Sequence, residues 1–342
     1  MQISIIGTGA MATLFAARLA DVADVAMIGS WVDALETIKE QGITIDGESC
    51  CHEVHTAYHP DDAPAADLAL VLTKAYKTTK ASEVAAKTIK PDGLALTLQN
   101  GLGNIEILSE YVGRDRAMQG VTMQGATLLG PGRIRTSGRG ATHLGYVPIE
   151  LAAPRDFAVG HRAYEVSALF NSAGLKSQVT ADIDGLVWGK MIINAAINPL
   201  TAILRVPNGA LVESDETIGL MKAAALEAAA VARAKGIMLP FPDPVERVKQ
   251  VATLTATNHS SMLQDVLGQR PTEIDAINGK IVEQGQALGI PTPVNALLTS
   301  LMRAIEKNYA VAPGGSPPNS GGHEQDAQSA EQELQRQLRA AR

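Results

Sequence analysis

Residues 2–20 read QISIIGTGAMATLFAARLA, and how that stretch divides decides the fold. Its first five residues are an apolar run of strand length, and GTGAMATLFAARLA turns into a helix. Between them Gly7-Thr8-Gly9-Ala10-Met11-Ala12 fits G-x-G-x-x-A. At such a junction Gly7 permits a tight turn, Gly9 lets the backbone approach a pyrophosphate, and Ala12 lets the helix pack closely. The helix N-terminus attracts the anion. A bare glycine pattern is weak, but a strand before it and a helix after it supply the context of a dinucleotide-binding loop, against a structural turn or another nucleotide-like ligand.

Outward from this loop, further short apolar strands are expected at 24–29, 66–73 and 93–99, with helical or turn material between them. That alternation implies a doubly wound parallel sheet, α/β and Rossmann-type, whose ligand lies at the carboxyl ends of the strands. Lys74 and Asn100 each stand just after a strand, on the rim where a cofactor would lie. An acid after the second strand would hold the adenosine ribose of NAD, and an arginine there the extra phosphate of NADP. This chain has Gly29-Ser30-Trp31, so neither signal is present, although the Ser30 hydroxyl suits a phosphate. RIRTSGRGATHLGYV, 133–147, reads as antiparallel hairpin material closing this half.

Near residues 180–184 the texture changes to long helical patterns at 186–204, 214–235, 243–258, 272–288 and 293–308, punctuated by Pro and Gly. The expected organisation is a nucleotide-binding domain over 1–182 and an all-helical domain over 183–310. A tail over 313–342, rich in Gly, Pro and Ser and then in polar residues, is expected to be disordered.

The first of those helices contains VWGKMIINAAINPLTAI, 187–203. Lys190, Asn194 and Asn198 recur every four residues, a step of about 40° around a helix, so they form one stripe. A solvated face would carry more charges, yet none lies between Met191 and Leu204, and asparagine is a poor helix former. One amine and two carboxamides in apolar surroundings suit a water-poor cleft that holds a polar ligand. Further on, His259-Ser260-Ser261-Met262-Leu263-Gln264-Asp265 and Arg270-Pro271-Thr272-Glu273-Ile274-Asp275 read equally well as a helix cap, a helix start or part of a site.

Composition narrows the classes. The 342 residues are 46% hydrophobic and 19% charged, enough to build a substantial core, and the net charge of -7 with no basic block argues against a nucleic-acid surface. The N-terminus does not read as a signal peptide and no stretch reads as a membrane span, so the cytoplasm is the expected location. The two cysteines, Cys50 and Cys51, are adjacent and cannot form a disulfide framework. CCHEVHTAYH, 50–59, invites a metal reading, but on a strand its ligands would split between two faces. An ordinary strand at the sheet edge is expected there and no metal.

The ordered motifs resemble those of the ketopantoate reductase family over residues 1–308. They comprise the G-x-G-A-M start, Lys74-Ala75, Asn100-Gly101-Leu102-Gly103, Lys190 with Asn194 and Asn198-Pro199-Leu200-Thr201-Ala202, Pro207-Asn208-Gly209, Ser260 to Asp265, and Thr272-Glu273-Ile274-Asp275-x-x-Asn278-Gly279. The resemblance implies reduction of 2-dehydropantoate to (R)-pantoate in pantothenate synthesis, with NADPH. It implies Lys190 as proton donor and Asn100, Asn194, Asn198, Asn208, Asn258 and Ser261 at substrate positions. The cofactor would be held by Gly7, Thr8, Gly9, Ala10, Met11 and Ala12, with Ser30, Lys74, Asn100, Ala126 and Glu273. Family members often carry a basic residue where Ser30-Trp31 stands, so NAD stays open. A homodimer also stays open, as does reduction of another small 2-oxo or 3-oxo acid. A sensor that binds the dinucleotide without turnover is the rival from another class, and the lysine stripe speaks against it.

The chemistry suits these residue types. Hydride delivery to a ketone leaves charge on oxygen, which a positioned ammonium stabilises and protonates. Burial would lower the pKa of Lys190, so a carboxylate such as Glu273 nearby would help keep it charged.

Overall fold

The computed structural model describes residues 1–48, 51–145 and 156–309. Ten strands, β1 (Gln2–Ile6), β2 (Asp24–Ile28), β3 (Ile43–Ile45), β4 (Cys51–His52), β5 (His55–Ala57), β6 (Ala66–Val71), β7 (Ile89–Thr97), β8 (Ala117–Gly130), β9 (Arg133–Gly145) and β10 (Ser177–Val179), join one sheet. Its order is β4-β3-β9-β8-β7-β6-β1-β2-β5, with β10 beside β9. From β8 to β5 every pairing is parallel, as the strand and helix alternation requires. β8 and β9 form the long antiparallel hairpin expected around 133–147, whose last two residues lie outside the described residues. The sheet is therefore mixed, with a parallel Rossmann-type core.

Helices α1 (Ala10–Ala20), α2 (Val32–Gln41), α3 (Thr78–Thr88), α4 (Asn104–Val112) and α5 (Asp156–Ser172) cover both faces. The two-residue period of β1 shows how: Ile3 and Ile5 enter a core with Phe15 of α1, Leu35 of α2 and Phe170 of α5, while Ile6 joins Ala81 of α3 and Leu108 of α4 on the opposite face. Phe15 and Phe170 meet edge to face at 5.4 Å. Gly7 sits at φ +128°, and a Cβ there would press on the Leu72 carbonyl oxygen at 3.1 Å, so the first turn needs a glycine.

The expected edge strand within 50–59 divides in two. β4 and β5 lie at opposite ends of the sheet, because β4 pairs with β3 and β5 with β2. His52 is buried with Nδ1 2.9 Å from Asp21 Oδ1, while His55 and His59 are exposed. Cys50 lies outside the described residues, as does the tail over 313–342.

The C-terminal part is helical: α6 (Ile183–Leu204), α7 (Asp215–Ala234), α8 (Pro244–Leu254), α9 (Ser261–Leu267), α10 (Lys280–Leu288) and α11 (Pro293–Lys307). Asp182 caps α6 by accepting from the Gly185 N–H at 2.9 Å. α6 has the length and composition of a membrane span, but it is mostly buried as the central helix of this part, against α7, α8, α9 and α11. The helical pattern expected at 272–288 begins as a π-helical turn, Asp275–Gly279, before α10.

That turn receives the loop after β7. The Leu102 N–H donates to the Ala276 carbonyl at 3.1 Å, and Gly101, at φ +87°, leaves no room for a side chain, since its Cβ would lie 2.4 Å from the same oxygen. Gly101→Ala combines a left-handed backbone with that collision and should cost about 1–3 kcal/mol. A lower urea midpoint at unchanged slope would show it, and an unchanged midpoint would contradict the packing described.

Candidate active site

The rim of the sheet is set by two strand ends. β6 stops at Val71 and β7 at Thr97, and the segments that follow bear Lys74 and Asn100. Gln99 ties them together: its Nε2 donates to the Thr73 carbonyl at 3.1 Å and to Thr78 Oγ1 at 3.0 Å. Asn104, at the start of α4, donates to the Asn100 carbonyl at 2.9 Å.

The helical part meets this rim with two buried carboxylates, Asp265 of α9 at 3% exposure and Glu273 at 6%. Lys74 Nζ pairs with Asp265 Oδ2 and lies 4.0 Å from Glu273 Oε2. Glu273 accepts from the Ala75 N–H at 2.9 Å and from Asn100 Nδ2 at 3.2 Å. Burial pulls the Lys74 pKa down, but the charges of Glu273 and Asp265 outweigh it and hold Lys74 above its ordinary value. Lys74, Asn100 and Glu273, all expected at the site, are thus in one cluster. Asp265 had been part of a quoted motif without a role; nothing in the sequence reveals which lysine will pair with it across 191 positions.

Lys190 points at the hairpin. Its Nζ donates to the Thr122 carbonyl at 2.8 Å, where the register of β8 against β9 shifts between Thr122 and Gln124. The Thr122 hydroxyl accepts from the Gln124 N–H at 3.1 Å and from Thr142 Oγ1 at 2.9 Å, which fixes that irregularity. Burial lowers the Lys190 pKa from 10.5 to about 8, and Glu273 acts in the opposite sense. The carboxylate therefore helps to keep Lys190 charged but does not cancel its burial. Thr122 had no sequence signal, because it is its main-chain oxygen that is used.

Asn194 is half-buried and Asn198 buried on the same helix. Among the described residues neither side-chain amide makes a hydrogen bond to protein, and neither is among the fully buried atoms that lack a partner, so both amides are open to solvent or to a ligand. The remaining expected positions vary. The Asn208 N–H donates to the Asn258 carbonyl at 3.0 Å, and Asn208 Nδ2 to Thr255 Oγ1 at 2.9 Å. Ser260 caps α9, accepting from the Leu263 N–H at 3.0 Å, and leaves Ser261 exposed beside it. Ser30 is exposed past the end of β2, and Ala126 lies on β8 opposite Thr136.

The glycine loop fits a dinucleotide. A Cβ on Gly9 would meet nothing within 4 Å, so the space beside the loop is open. The N-terminus of α1 carries no side-chain cap and no acid in its first turn, leaving N–H groups for an anion. A cavity of about 830 Å³ between α4, the start of α6 and the π-helical turn includes Glu273 and Trp188 but not Lys190, Asn194 or Asn198.

A glycine loop on a parallel sheet, with a helical partner that carries a lysine of lowered pKa, is the architecture of a dinucleotide-dependent dehydrogenase. The chain belongs to the ketopantoate reductase family. The model described as ketopantoate reductase PanE/ApbA matches residues 3–148, and that of the PanE/ApbA C-terminal part matches 182–306. It is 38% identical to a 2-dehydropantoate 2-reductase of Pyrococcus horikoshii over 90% of this chain and 98% of the relative. With the Halobacterium salinarum protein of that name it shares 34% identity over 90% and 100%. Among solved structures it is similar to D-mandelate dehydrogenase with NADH and anilino(oxo)acetate, with a TM-score of 0.82 at 28% identity over 90% of this chain and 99% of that one. A PanE/ApbA family ketopantoate reductase from Ralstonia eutropha JMP134 gives 0.79 at 29% identity, covering 90% and 99%.

Lys190 must be protonated to act as an acid, so the turnover number for reduction should fall as pH rises through about 8. Glu273→Gln removes a charge that raises the Lys190 pKa, and should move the falling limb to lower pH. Profiles of cofactor oxidation against pH for both proteins test this, and coincident limbs would separate Glu273 from Lys190.

Proposed function

We propose that this protein reduces 2-dehydropantoate to (R)-pantoate, a step of pantothenate synthesis, with NADPH. The observation that carries this reading is the α6 stripe: an amine at intermediate pKa in line with two carboxamides that have no hydrogen-bond partner among the described residues, beside a nucleotide rim. When bound, the dihydronicotinamide supplies the hydride. Gly7 to Ala12 would hold the pyrophosphate, with Ser30, Lys74, Asn100, Ala126 and Glu273 along the rest of the cofactor.

Lys190 acts as the proton donor. An ammonium has three N–H groups; one is committed to the Thr122 carbonyl, which aims the amine and leaves two for the ketone oxygen and its neighbours. As charge develops on that oxygen, Lys190 stabilises it and passes a proton to it. Asn194 and Asn198 each offer a donor and an acceptor, which suits the hydroxyl of the acid, and Ser261 with the adjacent backbone suits its carboxylate. Asn100, Asn208 and Asn258 complete the substrate positions.

A second reading, NADH with another small 2-oxo acid, draws on two observations. Residues 30–34, Ser-Trp-Val-Asp-Ala, contain no base for an extra phosphate, and the similar D-mandelate dehydrogenase was solved with NADH. Absorbance at 340 nm, followed with each cofactor against 2-dehydropantoate and phenylglyoxylate, separates the readings; the expected result is oxidation of NADPH by 2-dehydropantoate. No oxidation in any combination would favour a dinucleotide sensor. Lys190→Ala should lower kcat by about 10²–10⁴-fold while leaving cofactor affinity near normal, and near-normal turnover would remove Lys190 from its role.

A further inference from the structure

Pro199 stands inside α6, one residue beyond the stripe. Proline has no N–H, so the carbonyl four residues earlier, on Ala195, loses its helical donor. Ala195 directly follows Asn194, and a buried carbonyl there requires another partner. Asn278, at 0% exposure in the π-helical turn, supplies it: Nδ2 donates to the Ala195 oxygen at 3.0 Å.

The orientation of that amide is determined from behind. Glu227 of α7 accepts the first free N–H groups of α11, from Val294 and Asn295, each at 2.9 Å, and also Asn295 Nδ2 at 2.8 Å. Asn295 Nδ2 also donates to the Ala224 carbonyl at 3.1 Å, so its amide nitrogen faces two acceptors and its Oδ1 faces Asn278. Asn278 Nδ2 then donates to Asn295 Oδ1 at 3.0 Å and to Ala195. Flipping Asn278 would set oxygen against two oxygens. Its own Oδ1 is buried with no partner among the described residues, so the two donor contacts are what hold the group.

We propose that Asn278 is a positioning residue for the substrate-binding face of α6: it replaces the hydrogen bond that Pro199 removes and so fixes the direction in which Asn194 and Asn198 present their carboxamides. The claim rests on the reading of that face given above. Asn278 shares its turn with Ala276, which receives the loop bearing Asn100, so one turn sets α6 and the nucleotide rim together.

The test is a double-mutant cycle with N278A and P199A. N278A should raise KM for the 2-oxo acid about tenfold, the effect of one unsatisfied buried carbonyl, with kcat and NADPH affinity within about twofold. P199A restores an N–H for Ala195, so N278A should cost little in that background. A fall in Tm with KM unchanged, or the same rise in KM in both backgrounds, would overturn the proposal. N278S, which retains a shorter donor, should lie between wild type and N278A, and it carries the kinetic test if N278A does not fold. Hydrogen exchange of the peptide 190–204 without ligand keeps the outcome separate from the reductase reading, even if the wild type reduces no 2-oxo acid. Faster exchange confined to that peptide in N278A and reversed by P199A supports the proposal, whereas a uniform change or none overturns it.

Discussion

A buried carboxylate must find donors, and Glu273 finds them on the other side of the chain's fold. Its two oxygens take the Ala75 N–H and the Asn100 amide, with Lys74 close by and paired to Asp265. Lys74 and the open strand ends belong to the sheet and the two carboxylates to the helices, where Arg270 reaches Asp265 Oδ1 at 3.5 Å while Asp265 Oδ2 is left to Lys74. Docking the helical part on the rim is therefore enforced by electrostatics as well as by the packing of Gly101 on Ala276. The cluster lies at the carboxyl ends of the parallel strands, so the interaction that joins the two parts also shapes the rim where a sheet of this kind binds its ligand.

The same arrangement separates two lysines that look alike in sequence. Lys74 lies between two carboxylates and is held above its ordinary pKa; among the described residues Lys190 hydrogen-bonds the Thr122 carbonyl and feels Glu273 at a distance, so burial prevails. The first stays charged across the physiological range and suits holding an anion or a hydroxyl. The second, at about 8, can both hold and release a proton near neutrality, which proton transfer requires. Burial and carboxylate count, rather than residue type, distinguish the two.

Local physics made much of this legible. The strand, glycine loop and helix of residues 2–20 are encoded within one stretch, and the four-residue period of α6 needs no partner to be seen. The mixed character of the sheet was half visible: the hairpin around β9 was expected, but the pairing of β3 with β9 and of β5 with β2 depends on tertiary position, and the single strand expected within 50–59 divides between opposite edges. The partners of Lys74 and Lys190, Asp265 and the Thr122 carbonyl, were illegible because they are joined across 191 and 68 positions, with no periodicity to link them. Pro199 was visible as part of a family motif, but its consequence was not, since an orphaned carbonyl matters only once the group that meets it is known.

Fold and substrate specificity are separable here for a physical reason. The nucleotide's pyrophosphate is expected on main-chain N–H groups at a glycine loop, and such groups carry no side-chain identity, so many sequences retain them. The acid is proposed on α6, where a few carboxamides would decide which hydroxyls and which bulk are accepted. A D-mandelate dehydrogenase and ketopantoate reductases can thus share one architecture with this chain. The helix that carries this stripe is the central, mostly buried one of its part. Within it Pro199 leaves the Ala195 carbonyl without its helical donor, and the network of Asn278, Asn295 and Glu227 offsets that loss.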